Sequence, residues 1–444
     1  MSVIIPLEIL KTNTKAKYIV KDLYVEQKTQ QKGAFNITQS YRQGQKSVEC
    51  FDSDGIFGYL PFSYTFHHLN TFWTLPNCKD ISIKFEGKLL DRQKEIREET
   101  FEILNRTHSV LLCLHTGFGK TIYTLYLASK IGKKTLVLCH RKIIMDQWVA
   151  SVKKYLPNTT VEQLKSNVNP TSDIVICNVL TIAKMPRSTY KEYGLVIIDE
   201  VHTICTEQFS KSLTMLCPDY LIGLSATPFR TDGMDRILEL YIGPEIITRK
   251  MWRLFNFYRV HTGFVPDVKR QVDGTLDWNS VLESQATSSE RNTLIVNLVR
   301  FFCNRVILVL VKRKDHAITL KNELIEKGVD TDVFFGTAKT ANYKCRVLIA
   351  TYSKGGVGFD HPELDMLITA ADVEENFMQY LGRIFRKDNT TPIYLDLIDK
   401  LSTISRHSTT RNNICREIGG TMYDFNKVFP DFNLFSDMIS QLII

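Results

Sequence analysis

Several things are missing from this sequence, and each absence removes a class of function. There is no C-x-x-C pair: the ten cysteines are scattered at positions 50, 78, 113, 139, 177, 205, 217, 303, 345 and 415, several of them inside apolar runs, and none clusters with histidine at metal-ligand spacing. Cysteine-based zinc and dithiol redox chemistry are thereby excluded. No run approaches the ~18 consecutive apolar residues of a membrane-spanning helix, and Met1 to Lys15 lacks the apolar core of a signal peptide. The expectation is a soluble intracellular protein in a reducing compartment, with no membrane partner. There is no short-period repeat and no disorder-like or collagen-like bias. Nor is charge of one sign in large excess: a formal net charge of +8 suits a polyanionic partner without demonstrating one.

What is present is globular material with clear punctuation. The 444 residues suffice for about two or three domains, and 44% of them are apolar. Residues 1–80 carry short alternating runs such as Leu23-Tyr24-Val25, a polar stretch from Gln27 to Gly44, and the aromatic series Phe57, Tyr59, Phe62, Tyr64, Phe66, Phe72 and Trp73. They read as a small β-rich N-terminal domain whose period-2 aromatics could stack on bases but are expected to face inward. From about 85 to 245, apolar runs alternate with helical stretches, the pattern of a parallel sheet covered on both faces. Strands are expected at Val110–Leu114, Thr135–Cys139, Ile174–Cys177, Leu195–Ile198 and Tyr220–Leu224. The alternation returns after about 290, with strands at Arg305–Val311, Val347–Ala350 and Met366–Thr369 and helices at Thr293–Cys303, Asp315–Lys327 and Glu375–Phe385. The expected fold is α/β, two parallel-sheet domains in tandem (81–248 and 290–400) behind the N-terminal domain (1–80), joined by a linker or insertion (249–289) and followed by a helical tail (401–444).

Three stretches can carry chemistry. Leu114-His115-Thr116-Gly117-Phe118-Gly119-Lys120-Thr121 lies between a strand and a helix. Gly117 and Gly119 let backbone N–H groups turn inward around phosphate, Lys120 can reach terminal phosphates, and the Thr121 hydroxyl can ligate Mg²⁺. Leu114 and His115 stand where the general signature has Gly and a common variant has Pro. Next, Leu195 to Ile198 ends in Asp199-Glu200-Val201-His202; in an open sheet its carboxylates meet a nucleotide on the phosphate loop, Asp199 holding Mg²⁺ and Glu200 deprotonating water. Finally, Gln379, Arg383 and Arg386 fall at i, i+4 and i+7, one face of a helix, and guanidinium groups suit developing phosphoryl charge.

In order and residue type these stretches resemble the motifs of superfamily 2 helicases over roughly residues 85–415. Gln93 resembles the adenine-reading glutamine, and Cys139-His140-Arg141 through Gln147-Trp148 the first strand-contacting motif. Asp199-Glu200-Val201-His202 corresponds to the DExH box and Ser225-Ala226-Thr227 to the motif coupling hydrolysis to movement. Gly355-Gly356-Val357-Gly358-Phe359-Asp360 resembles the motif joining nucleotide and nucleic acid, and Gln379 to Arg386 the arginine-finger motif. A finer likeness is to the XPB-like and UvsW-like branch and to helicases of large DNA viruses, including the poxvirus transcript-release helicase. Thr227-Pro228-Phe229-Arg230-Thr231-Asp232-Gly233, Leu276-Asp277-Trp278-Asn279 with Glu290-Arg291-Asn292, and His407 to Arg411 carry it, with Thr231 departing from an Arg-Glu-Asp triplet.

The resemblance implies two RecA-like domains and an ATP- and Mg²⁺-dependent helicase. Gln93, His115, Thr116, Gly117, Phe118, Gly119, Lys120, Thr121, Gly358 and Asp360 would bind nucleotide, and Lys120, Asp199, Glu200, His202, Gln379, Arg383 and Arg386 would carry catalysis. Thr121 and Asp199 would hold the metal, Ser225, Ala226 and Thr227 would couple hydrolysis to movement, and Arg141, Asn178 and Arg230 would touch nucleic acid. The implied partner is nucleic acid, DNA ahead of RNA, with transcription or replication proteins as further partners. A monomer is expected, in host cytoplasm or nucleus if viral, with packaging in the virion an option. Two alternatives stand beside it: an RNA-directed DExH helicase, and a nucleotide-binding scaffold without turnover.

Overall fold

The computed structural model describes residues 1–12, 19, 21–26, 47–69, 78–165, 168–206, 210–226, 235–338, 341–356, 361–374, 376–387 and 389–432. The chain divides into two compact units, Met1–Arg249 and Lys250–Ile444.

The first unit is built on a seven-stranded parallel sheet. Its spatial order is Ile246–Arg249, Ser109–Leu114, Tyr220–Ser225, Leu195–Ile198, Thr135–Cys139, Ile174–Asn178 and Val161–Gln163. The central strands are apolar along their whole length because helices cover both faces: every residue of Ser109–Leu114 and of Thr135–Cys139 is buried. Leu195–Ile198 and Tyr220–Ser225 come late in the chain but insert between Ser109–Leu114 and Thr135–Cys139. Leu114, Ile198 and Ser225 therefore end their strands side by side at the carboxyl edge, where ligands of such sheets bind.

The N-terminal residues form a three-stranded antiparallel sheet, Ser2–Pro6 with Phe57–Pro61 and Asp52–Ser53, and a two-stranded pairing of Tyr24–Glu26 with Ser47–Glu49. Met1, Val3, Ile5 and Phe62 share one continuous core with Val196, Leu221 and Tyr241, so this region is welded to the first sheet. The aromatic series is not one long strand. Pro61 ends the strand, and Phe62–His68 is a helix that buries Phe62 and Tyr64 while Phe57 stays on the surface. Phe72 and Trp73 lie outside the described residues.

The second unit is a second seven-stranded parallel sheet, in the order Thr331–Phe334, Val347–Thr351, Ile307–Val311, Met366–Thr369, Ile393–Ile398, Phe255–His261 and Gly420–Asp424. Two expectations change here. The stretch 249–289, read as a linker or insertion, supplies the strand Phe255–His261, paired on both sides, and the helix Trp278–Thr287. Residues 401–444, read as helical, supply the helix Ser402–Glu417 and the strand Gly420–Asp424. Polar residues interrupt both strands, since Asn256 and Arg259 are only partly covered and Gly420–Asp424 forms the sheet's edge. No helix among the described residues is long and apolar enough to cross a membrane.

Candidate functional site

The phosphate loop follows the buried strand Ser109–Leu114 and runs into the helix Lys120–Ile131, which Gly132 ends in a left-handed conformation. Gly117 and Gly119 have φ of +82° and +89°, a region that costs an L side chain about 1–2 kcal/mol. Arg92 and Gln93, from the helix Asp91–Glu95, hold the loop by its carbonyls. Arg92 donates to Gly117 O (2.8 Å) and Phe118 O (3.3 Å), and Gln93 Nε2 donates to Phe118 O and Gly119 O (both 3.2 Å). The Gln93 carbonyl accepts from Leu90 N–H at 2.9 Å, so this buried amide is committed to shaping the loop. His115 Nδ1 donates to Thr116 O at 2.7 Å, which fixes its tautomer, and burial lowers its pKa. Lys120 Nζ donates to Leu114 O at 2.9 Å, lying across the loop it would leave for phosphate. Thr121 occupies the first turn of the helix.

Facing this loop, Asp199 and Glu200 end the strand Leu195–Ile198. Trp148 Nε1–H donates to Asp199 Oδ2 at 2.8 Å. Burial first, and then the Glu200 charge, push the Asp199 pKa up, while the Trp148 bond and the Lys120 ammonium pull it down. Lys120 is therefore close enough to bias Asp199 electrostatically. Glu200 takes φ of +51°, an uncommon conformation for a non-glycine residue of the kind that concentrates at functional sites. His202 Nδ1 shares a hydrogen bond with Ser225 Oγ at 2.9 Å and lies 3.6 Å from Glu200 Oε2. One imidazole thus connects the acid pair to the end of Tyr220–Ser225, where Ala226 follows. His140, held near neutral by burial that lowers its pKa to about 4, contacts Thr203 Oγ1 at 3.3 Å.

The Asp199 carboxylate, repelled by the like charge of Glu200, and the Thr121 hydroxyl are hard oxygen donors of the kind that suits Mg²⁺. Among the described residues no group of three His, Cys, Asp or Glu could hold a metal unaided.

Farther along the same edge, Arg141 precedes the helix Lys142–Tyr155 and is exposed, and Asn178 caps the turn Val179–Ile182 by accepting from Leu180 N–H at 3.0 Å. The strand ends carrying them are adjacent, with Cys139 opposite Asn178. In the second unit, Gln379 and Arg383 are buried and Arg383 Nη2 donates to Gly356 O. The expected single helix face is not realised. The α-helix covers only Phe377–Leu381, a 3₁₀ turn takes Gly382–Ile384, and Arg386 lies beyond both. Burial lowers the pKa of the half-buried Arg386. Thr227, Arg230, Gly358 and Asp360 lie outside the described residues.

Two participants were missed as site residues in the sequence. Arg92 sits next to a residue that drew attention, and Trp148 stands inside a quoted motif. Their partners, the carbonyls of Gly117 and Phe118 and the carboxylate of Asp199, lie 25 to 51 positions along the chain, beyond the reach of a local pattern.

A phosphate loop and an acid pair on a parallel sheet, followed by a second such sheet, define a tandem RecA-like nucleotide-handling protein. The family "Type III restriction enzyme, res subunit" matches residues 86–230. The putative helicase 161L of Invertebrate iridescent virus 6 is 36% identical over 398 residues, 83% of this chain and 89% of that protein. The putative helicase 055L of Frog virus 3 is 30% identical over 348 residues, 75% of this chain and 79% of that one. The solved structure of S. cerevisiae Dbp5 bound to RNA and ADP BeF3 shares the fold, with a TM-score of 0.52 at 14% identity, covering 80% of this chain and 98% of that one. The chain belongs to this helicase family, and it is a nucleic-acid-dependent ATPase.

Proposed function

We propose that this protein is a superfamily 2 translocase of the XPB/UvsW-like branch with a DExH box, which hydrolyses ATP to move along or remodel DNA in viral transcription, recombination or repair. The observation that carries the proposal is the gathering of Lys120, Asp199, Glu200 and the His202–Ser225 pair at one sheet edge that also bears Arg141 and Asn178.

In this reading Gly117, Gly119 and the neighbouring amides receive the phosphates, and Lys120 exchanges its bond to Leu114 O for the terminal phosphate. Thr121 and Asp199 would hold Mg²⁺, which would supply positive charge against that of the phosphates. Glu200 accepts the proton of the attacking water. Arg386 is assigned to the charge that develops on the γ-phosphoryl group, and Arg383 would join it on exchanging its bond to Gly356 O. His202 reports the state of Glu200 to Ser225, which begins the coupling segment. Arg141 and Asn178 hold the nucleic-acid backbone, a contact that conveys charge and shape but no sequence.

ATP hydrolysis measured with single-stranded, duplex and branched DNA and with RNA, alongside strand displacement from 3′ and 5′ overhangs, tests the proposal. Stimulation by DNA and displacement in one direction are expected. Stimulation by RNA alone moves the assignment to an RNA helicase, and phosphate release unchanged by any nucleic acid rejects it.

A further inference from the structure

The segment bearing Gln379, Arg383 and Arg386 has little regular structure of its own, only five α-helical residues and one 3₁₀ turn. Its beginning is held from the C-terminal helix. Arg411, with a side chain 2% exposed, donates to Asp372 Oδ1 at 2.8 Å and to Val373 O at 2.6 Å, and is itself fixed by Asp396 Oδ1 at 2.8 and 3.0 Å. The middle is held by the bond from Arg383 to Gly356 O.

The far end is held by a residue that belongs to no helicase motif. Arg253 donates through Nη1 to Phe385 O and through Nη2 to Lys387 O, so one guanidinium fork grips the carbonyls on both sides of Arg386. Arg253 is well placed for this. Its backbone N–H donates to Ile418 O at 2.8 Å, and Phe255, two residues on, sets its ring 5.0 Å from that of Phe385. Phe255 opens the strand Phe255–His261, which is paired on both sides, so the residues carrying the fork are anchored to the sheet.

We propose that Arg253 is a positioning residue for Arg386, fixing the backbone that carries this side chain. The inference rests on the arginine-finger reading of Arg386. A planar fork satisfies two carbonyls at fixed separation, whereas a lysine ammonium is a single point of donation, so the two residues are not equivalent here. Loss of the fork frees the backbone at Arg386, and a displacement near 1 Å at a group acting on the transition state costs up to ~100-fold in rate.

The test is steady-state ATP hydrolysis by the full chain with saturating single-stranded DNA, together with thermal unfolding, for Arg253→Gln, Arg253→Lys, Arg386→Lys and the double variant Arg253→Gln/Arg386→Lys. Arg253→Gln is expected to lower kcat about 10- to 100-fold with the KM for ATP within about threefold of the parent, and Arg253→Lys to fall between them. The double variant is expected to be no slower than Arg386→Lys, because Arg253 acts through Arg386. A kcat within twofold of the parent in Arg253→Gln, a loss confined to KM, or losses that multiply in the double variant would overturn the assignment. If Arg253→Gln does not fold, Arg253→Lys is combined with Arg386→Lys and judged by the same criteria. Parental turnover in Arg386→Lys would instead remove the arginine-finger reading itself, a result distinguishable from failure of Arg253 alone.

Discussion

Replacing the two loop glycines one at a time should separate backbone strain from side-chain collision. At Gly117, φ is +82° and an added Cβ meets nothing within 4 Å, so Gly117→Ala costs only the left-handed strain, about 1–2 kcal/mol. At Gly119, φ is +89° and the added Cβ falls 2.5 Å from Gln93 Nε2. The same strain applies, and Gln93 must also move. Because its amide is buried and donates to Phe118 O and Gly119 O, displacing it adds about 1–3 kcal/mol of lost hydrogen bonding. Expressed as ATP affinity, where 1.4 kcal/mol is about tenfold, Gly117→Ala should weaken binding roughly 5- to 30-fold and Gly119→Ala, at about 2–5 kcal/mol in all, roughly 30- to 4000-fold. Fluorescent-nucleotide titration of the two variants measures both. Equal losses, or a larger loss at Gly117, would refute the role given to Gln93 as the clasp of this loop.

Other perturbations test other parts of the molecule. Arg386→Ala should cut nucleic-acid-stimulated hydrolysis by about 10³ or more while leaving nucleotide binding largely intact; turnover near that of the parent would dismiss the assignment. Asp399 is fully buried and accepts from Arg291 Nε (3.0 Å), Gln285 and Thr262, so Asp399→Ala strands a buried guanidinium and should cost about 3–5 kcal/mol in urea unfolding; a loss under about 1 kcal/mol would contradict this. His316 donates from Nε2 to Asn292 Oδ1 at 2.9 Å, and burial lowers its pKa from 6.5 to about 3. Below pH 6.5 the unfolded chain therefore takes up a proton that the folded chain refuses. The contribution is complete above pH 6.5 and is lost as pH falls toward 3, by up to about 1.4 kcal/mol per pH unit. His316→Gln should flatten that acid limb in urea titrations between pH 7 and 4, and an unchanged slope would refute it. Arg141→Ala should weaken DNA binding uniformly across sequences and reduce the salt dependence by about one counterion; a sequence-dependent loss would argue against backbone contact.

Legibility in the sequence followed burial. The strands expected at Thr135–Cys139, Leu195–Ile198 and Met366–Thr369 occupy those same residues in the structure, because a strand buried on both faces must be apolar throughout. Phe255–His261 escaped notice since Asn256 and Arg259 break its apolar run, and Gly420–Asp424 since an edge strand need not be apolar. Phe62–His68 misled in the other direction: an aromatic at every second position imitates a strand, but the chain turns at Pro61 and completes a helix over the core. The arginine segment kept its residues but not its expected shape, because the turn at Gly382–Ile384 tightens to 3₁₀ before Arg386.

The sequence by itself determined the chemistry on offer, through glycines, a lysine, an acid pair and arginines in a fixed order, and it determined the α/β class through local periodicity. Such signals are read within a few residues, where covalent connectivity and a buried or exposed face dictate what each position can be. The tertiary structure decided which side chains hold those groups in place. Trp148 reaches Asp199 across 51 positions, and Arg253 reaches the carbonyl of Phe385 across 132. These pairings follow from strand order and from where each loop leaves its sheet, and a one-dimensional pattern carries no distance between residues so far apart.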